Sequence, residues 1–159
     1  MAVDYFLKLD GIPGESQDSK HKDEIEVVSW SIGATQTGDM SSGGGGGAGK
    51  VAIHDFHFVM KHNKSSPKLF LACANGDHIK SAILVARKAG KEQREYLTWT
   101  FSDVLVSGFH TALHGHPTPV DQVSLNFGKA EFEYKTQKPD GTTGGSVKTG
   151  WDLKQNKAA

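Results

Sequence analysis

The chain has 159 residues, with 18 Lys plus Arg against 18 Asp plus Glu and a single cysteine, Cys73. That length supports one domain, 1–159, whose core needs no disulfide or metal to staple it, and one cysteine excludes an internal disulfide. The zero net charge lacks the basic excess of a general nucleic-acid binder, and no apolar run is long enough for a signal peptide or a membrane span.

Nineteen glycines, five prolines and many β-branched and aromatic residues favour an all-β domain. Residues 3–10 alternate: Val3, Tyr5, Leu7 and Leu9 share one face, while Asp4, Lys8 and Asp10 share the other with Phe6. A polar, turn-rich loop follows over 11–24. Residues 25–34 form a strand with a phase change. Ile25 and Val27 share one face, whereas Val28, Trp30 and Ile32 share the opposite one, with Ser29 and Ser31 between them. A bulge or burial on both sides accounts for this. The bulky face belongs in a core, and small polar Ser29 and Ser31 face water.

The stretch "SSGGGGGAGK" (41–50) comes close to the G-x-x-x-x-G-K of a phosphate-binding loop. Such a loop opens a helix and carries Ser or Thr after the Lys. Here Val51 follows Lys50, and a period-two stretch over 51–60 comes next. The expectation is a connection between two strands. Structureless connections of this length are uncommon and usually have a task.

Residues 64–76 read as the one helix. Ser66 is the expected N-cap, Pro67 the first helical residue, and Gly76 the left-handed residue that ends it. Leu69, Phe70, Leu71 and Cys73 make it apolar nearly all round, which predicts a buried plug and a buried, structural Cys73. Strands follow at 78–88, 95–107, 120–136 and 146–153. In the third, the apolar phase switches between Phe127 and Phe132, with a bulge expected at Gly128. The sum is a small β-barrel or sandwich of roughly seven antiparallel strands with one short helix.

Two further patterns suggest chemistry. Ser65-Ser66-Pro67-Lys68 matches S-x-x-K, and Lys148-Thr149-Gly150 matches K-T-G, two signatures of Ser/Lys hydrolases with Ser65 as nucleophile and Lys68 beside it. The third signature, S-D-N, is missing, and a capped helix start explains "SSPK" by itself. Eight histidines invite a metal. His54 and His57 stand an odd step apart on a strand, so they face opposite sides. His110, His114 and His116 sit around a loop with no partner ligand at a fitting spacing, so no metal or cofactor is expected. Strands apolar on both faces and densely mixed charges at "HKDEIE" and "RKAGKEQRE" point instead to a self-assembling protein.

Taken together, "MAVDYFLKLDGIPGES", "HKDEIEVVSWSIG", "GGGGGAGKV", "HNKSSPKLFLACANG", "RKAG" and "YKTQKPDG…GWDLKQN" resemble the haemolysin co-regulated protein family, Hcp, of the bacterial type VI secretion system, along the whole chain. Departures are small. Asn63 stands where the family often has Asp, Ile32 where an aromatic is common, and "HTALHGHPTP" is a variable loop. The resemblance implies a structural protein rather than an enzyme: a small β-barrel with a flanking helix that forms hexameric rings. Rings stack into a tube inside a contractile sheath, under a spike protein and on a baseplate. The tube is fired out of the cell, and small effector proteins ride in the ring lumen. On this reading Ser29 and Ser31 face cargo, and Gly43, Gly44, Gly45, Gly46 and Gly47 form a ring-stacking arm. The protein is then made in the cytoplasm and leaves without a cleaved leader, with no membrane insertion.

Overall fold

A computed structural model of the chain describes residues 2–38, 50–90, 92–113, 115 and 117–159. Among these, the strands are β1 (Val3–Leu9), β2 (Ile25–Val27), β3 (Ser29–Ser31), β4 (Ala34–Gln36), β5 (Val51–Ile53), β6 (Phe56–Lys61), β7 (His78–Lys88), β8 (Arg94–Ala112), β9 (Val120–Gln137), β10 (Thr143–Asp152) and β11 (Lys157–Ala158). The helix, α1, is Ser66–Asn75. The main sheet has nine strands in the order β11-β10-β9-β8-β7-β1-β2, with β6 paired to β9 and β3 to β6; β4 and β5 form a separate hairpin. Every paired strand runs antiparallel to its neighbour.

The mainly-β class with one helix is as the alternation predicts. The barrel, however, is not a continuous ring of hydrogen-bonded ladders. β2 pairs with β1 and β3 with β6, so the segment 25–31 changes neighbours at Val28. The Val28 N–H already reaches across to the Val59 carbonyl at 2.7 Å. The wall is thus completed by a covalent step rather than a ladder. This step is the expected phase change: Ile25 and Val27 are buried before it and Trp30 packs on the core after it, while Val28 itself is 55% exposed. Val28 is therefore not a core residue, contrary to the sequence expectation, because the kink turns it outward.

The interior is filled from facing strands by Leu7, Leu9, Ile25, Phe56, Phe58, Met60, Leu84, Phe101, Val123 and Leu125. Each such side chain contributes roughly 1.5–3 kcal/mol by leaving water. Aromatic rings run through it, with Phe56 to Phe101 at 4.9 Å and Phe101 to Phe127 at 4.7 Å between centroids. Phe101 and Val104 are both buried although they are an odd step apart. Asp103 between them has φ 52°, which reverses the side-chain sense without adding a residue. The register runs unshifted from Ser102↔Lys129 to Val104↔Phe127, so Gly128 opposite Asp103 is not a ladder bulge. The shift lies between Val106 and Gly108.

Two more expectations change. The 11–24 loop is polar in sequence, yet Ile12, Gly14, Ser16 and His21 are buried in it. It covers Phe6, the apolar side chain that β1 carries on its polar face. Helix α1 is not a plug. Ser66, Leu69 and Ala72 are its buried stripe, while Phe70 and Leu71 are 61% and 55% exposed. Cys73 is half-buried and free, so the fully buried thiol expected from the sequence is corrected as well.

Candidate functional site

The helix start is built by side chains. Its N-cap position is Ser65 rather than Ser66, with no side-chain bond from Ser65 to the helix backbone, and Gly76 ends it at φ 67°. Asn63 acts as the cap of the entry turn: its Oδ1 accepts from the Ser65 N–H at 2.8 Å and the Ser65 hydroxyl at 2.5 Å. Ser66 Oγ in turn accepts from the Asn63 N–H at 3.0 Å and donates to Asp121 Oδ2 on β9 at 2.5 Å. His62 Nδ1 lies 3.0 Å from the other oxygen of that fully buried carboxylate.

These contacts bear on the hydrolase pattern. Ser65 is fully buried and its proton is engaged by the Asn63 amide oxygen, whereas Lys68 is exposed. A nucleophile needs a base on its proton and a path to substrate, and Ser65 has neither. Lys148 of the K-T-G triplet sits on β10 and pairs with Glu131 at 3.6 Å. Lys50 is followed directly by β5, so no helix opens behind it and the phosphate-loop reading fails. Among the described residues no cluster of His, Cys, Asp and Glu could hold a metal. His114 and His116 lie outside the described residues, as do Gly43, Gly44, Gly45, Gly46 and Gly47. The strands on either side of that glycine segment pair with each other, Gln36 opposite Val51 and Ala34 opposite Ile53.

The face of Ser29 and Ser31 is polar across several strands. Both serines are exposed, while Trp30 between them turns inward against Tyr5 and Phe56, each at 6.2 Å between centroids. Register places Ser31 opposite His57 and His57 opposite Ser124. The next row runs Ser29, Val59, Gln122 and His110. Ser107 donates to Asp55 Oδ2 at 2.6 Å, and Asn126 donates to Asp55 Oδ1 at 2.9 Å. Gly108 sits over Ser124 so closely that a Cβ would lie 2.6 Å from its hydroxyl. The result is a mainly polar wall, hydrogen-bonded among Ser107, Ser124, Asp55 and Asn126, whose β3 part follows from alternation and which only strand pairing extends to β6, β8 and β9.

A second surface is apolar. β10 pairs only with β9 and the short β11, and there Val147 stands opposite Tyr134, 67% and 46% exposed. Tyr96 meets Tyr134 edge-on at 6.5 Å between centroids. A nearby cleft of about 340 Å³ is lined by Ile32, Ile53, Trp99, Phe132 and Trp151. A folded subunit that leaves these groups in water has surface suited to a partner.

A family model described as "Type VI secretion system effector, Hcp" matches residues 6–134. The chain is 46% identical over 159 residues to Protein hcp1 of Pseudomonas aeruginosa, covering 98% of each chain. Its fold matches the crystal structure of Hcp1 from Salmonella typhimurium with a TM-score of 0.85 and 40% identity, over 100% of both chains. A solved type six secretion system protein superposes with a TM-score of 0.93 at 29% identity, over 99% of this chain and 100% of that one. Among the described residues no helix is long and apolar enough to cross a membrane.

Proposed function

The chain belongs to the Hcp family of type VI secretion system proteins, and from that premise we propose that it is a tube subunit: copies close into a hexameric ring, rings stack, and the lumen carries small effector proteins out of the cell. The observation that carries this reading is the exposed apolar pair Tyr134 and Val147 on the β9–β10 end of the main sheet. Head-to-tail contacts around a closed ring would cover such a surface on every copy. The polar wall of Ser29 and Ser31 is the cargo side. Short polar groups make weak, adaptable contacts that can be released, as a carried effector requires. The glycines 43–47 between paired β4 and β5 are the ring-stacking segment. The spike protein, sheath and baseplate are its further partners, and the protein acts without a catalytic step. The Ser65/Lys68 hydrolase is the weaker reading, because the Ser65 hydroxyl is buried on Asn63.

Analytical ultracentrifugation at micromolar concentration tests the ring: the mass of a hexamer is expected, and a monomer would overturn the proposal. Ser31→Arg tests the lumen. It is expected to leave the hexamer intact and abolish effector retention, and export of every effector at wild-type levels would assign this face elsewhere.

A further inference from the structure

The loop between β1 and β2 is fastened by charge. His21 lies within it at 6% exposure, its ring stacked flat on Phe6 of β1 at 4.4 Å and 7°. Nδ1 is 3.1 Å from both oxygens of Glu24 in the same loop, and Nε2 is 2.7 Å from Glu95 Oε1 on β8. Both ring nitrogens therefore face carboxylates. A neutral imidazole has one N–H, so its other nitrogen would turn a lone pair on a carboxylate oxygen. Only the imidazolium donates to both. The other charged groups are Arg87 of β7, 4.9 Å from the Phe6 ring centroid; Asp18 of the loop and Asp4 of β1, which Arg87 binds; Glu26 of β2, opposite Phe6; and Lys20, Lys22 and Asp23, beside His21 in the chain. Arg87 binds Asp18 through two hydrogen bonds, 2.6 and 3.0 Å, and Asp4 at 3.2 Å. None of these residues belongs to the cargo wall or the apolar pair.

We propose that His21 is a protonation-dependent clasp that pins the β1–β2 loop to β8 through Glu24 and Glu95, shut while the imidazole holds both protons and released when it loses one. The sign follows from the partners. The clasp stabilises the loop at pH values where the carboxylates are ionised and the imidazole is charged, and it weakens as pH rises. The two hydrogen bonds from Arg87 to Asp18 join groups that stay charged over this pH range, so the loop stays tethered at Asp18 while the stretch from His21 to Glu24 comes free.

Hydrogen–deuterium exchange on the full-length assembled protein reads this directly. The amides of Gly14, Ser16, Asp23 and Glu24 donate within this loop and report on it. After correction for intrinsic exchange, peptides covering them are expected to exchange about tenfold faster at about pH 8.5 than at about pH 6, the scale of one lost charge-assisted hydrogen bond. Core strand β6 serves as the unchanged control. His21→Gln and the milder Glu95→Gln should each remove the pH dependence, while His62→Gln, which touches the other histidine–carboxylate pair, should keep it. Equal protection at both pH values in the wild type, or a pH dependence that persists in both His21→Gln and Glu95→Gln, overturns the clasp.

Discussion

Arg87 is 2% exposed, and its buried charge is balanced by two acceptors: Asp18 from the loop and Asp4 from β1. Burying a guanidinium is tolerable only with such partners. Because both carboxylates keep some contact with water, Arg87→Met is expected to cost about 2–3 kcal/mol, below the largest buried-pair losses, measured by urea unfolding. The pH dependence has a definite sign. Arg87 depresses the folded-state pKa of Asp18, first through its hydrogen bonds. That stabilisation is present above the unfolded carboxylate pKa and is lost as pH falls through the acid range. Asp18→Asn should therefore lower the unfolding midpoint at neutral pH and flatten its decline in acid. Parallel acid limbs for the two proteins would show that this pair does not govern them. At Cys73, half-burial sets a smaller effect: Cys73→Ser is expected to cost less than about 1 kcal/mol, and a thiol reagent should label it without unfolding.

At the scale of elements, the loop before β2 depends on a close backbone approach. A Cβ on Gly14 would lie 2.5 Å from the Glu24 carbonyl oxygen and 2.8 Å from the Ile25 Cα, backbone atoms that cannot swing aside. Gly14→Ala should therefore destabilise the protein by about 1–3 kcal/mol or more, read as a lower thermal midpoint. An unchanged midpoint would mean the loop can lift without loss. Helix α1 depends on Asp121 in a similar way. Ser66→Ala removes one donor from a fully buried carboxylate and leaves the Asn63 N–H without its acceptor. The expected cost is about 1–3 kcal/mol, with exchange in α1 rising more than in β9. Equal loss of protection in both elements would instead indicate global destabilisation.

For the whole molecule, apolar groups on a second face are the feature a lone barrel leaves unexplained. Val147→Glu puts a charge on the exposed apolar pair, where no packed core is disturbed. If this surface closes the ring, the variant should keep its circular-dichroism spectrum and lose hexamer mass. A hexamer of unchanged mass and salt resistance would move the ring interface to another face, such as the exposed Phe70 and Leu71 of α1.

The amino-acid sequence by itself determined the local matters. Alternation placed β1, β7 and β9 within a residue or two, Pro67 and Gly76 bounded the helix, and a strand after Lys50 excluded a phosphate loop. These signals are carried by residues close together in the chain, and so is the family likeness. Tertiary structure alone decided which faces have partners. Phe70 and Leu71 read as core by spacing, yet α1 buries Ser66, Leu69 and Ala72 and ties Ser66 to Asp121 of β9, while Phe70 meets β8 only edge-on at Phe109 and stays exposed. Val28 reads as interior, yet the switch of neighbours from β1 to β6 turns it to water. His21 reads as a loop histidine, yet Glu95, far along the chain on β8, completes its second contact. Periodicity states which residues share a face. Burial and charge pairing depend on what folds against that face, and those partners come from distant segments.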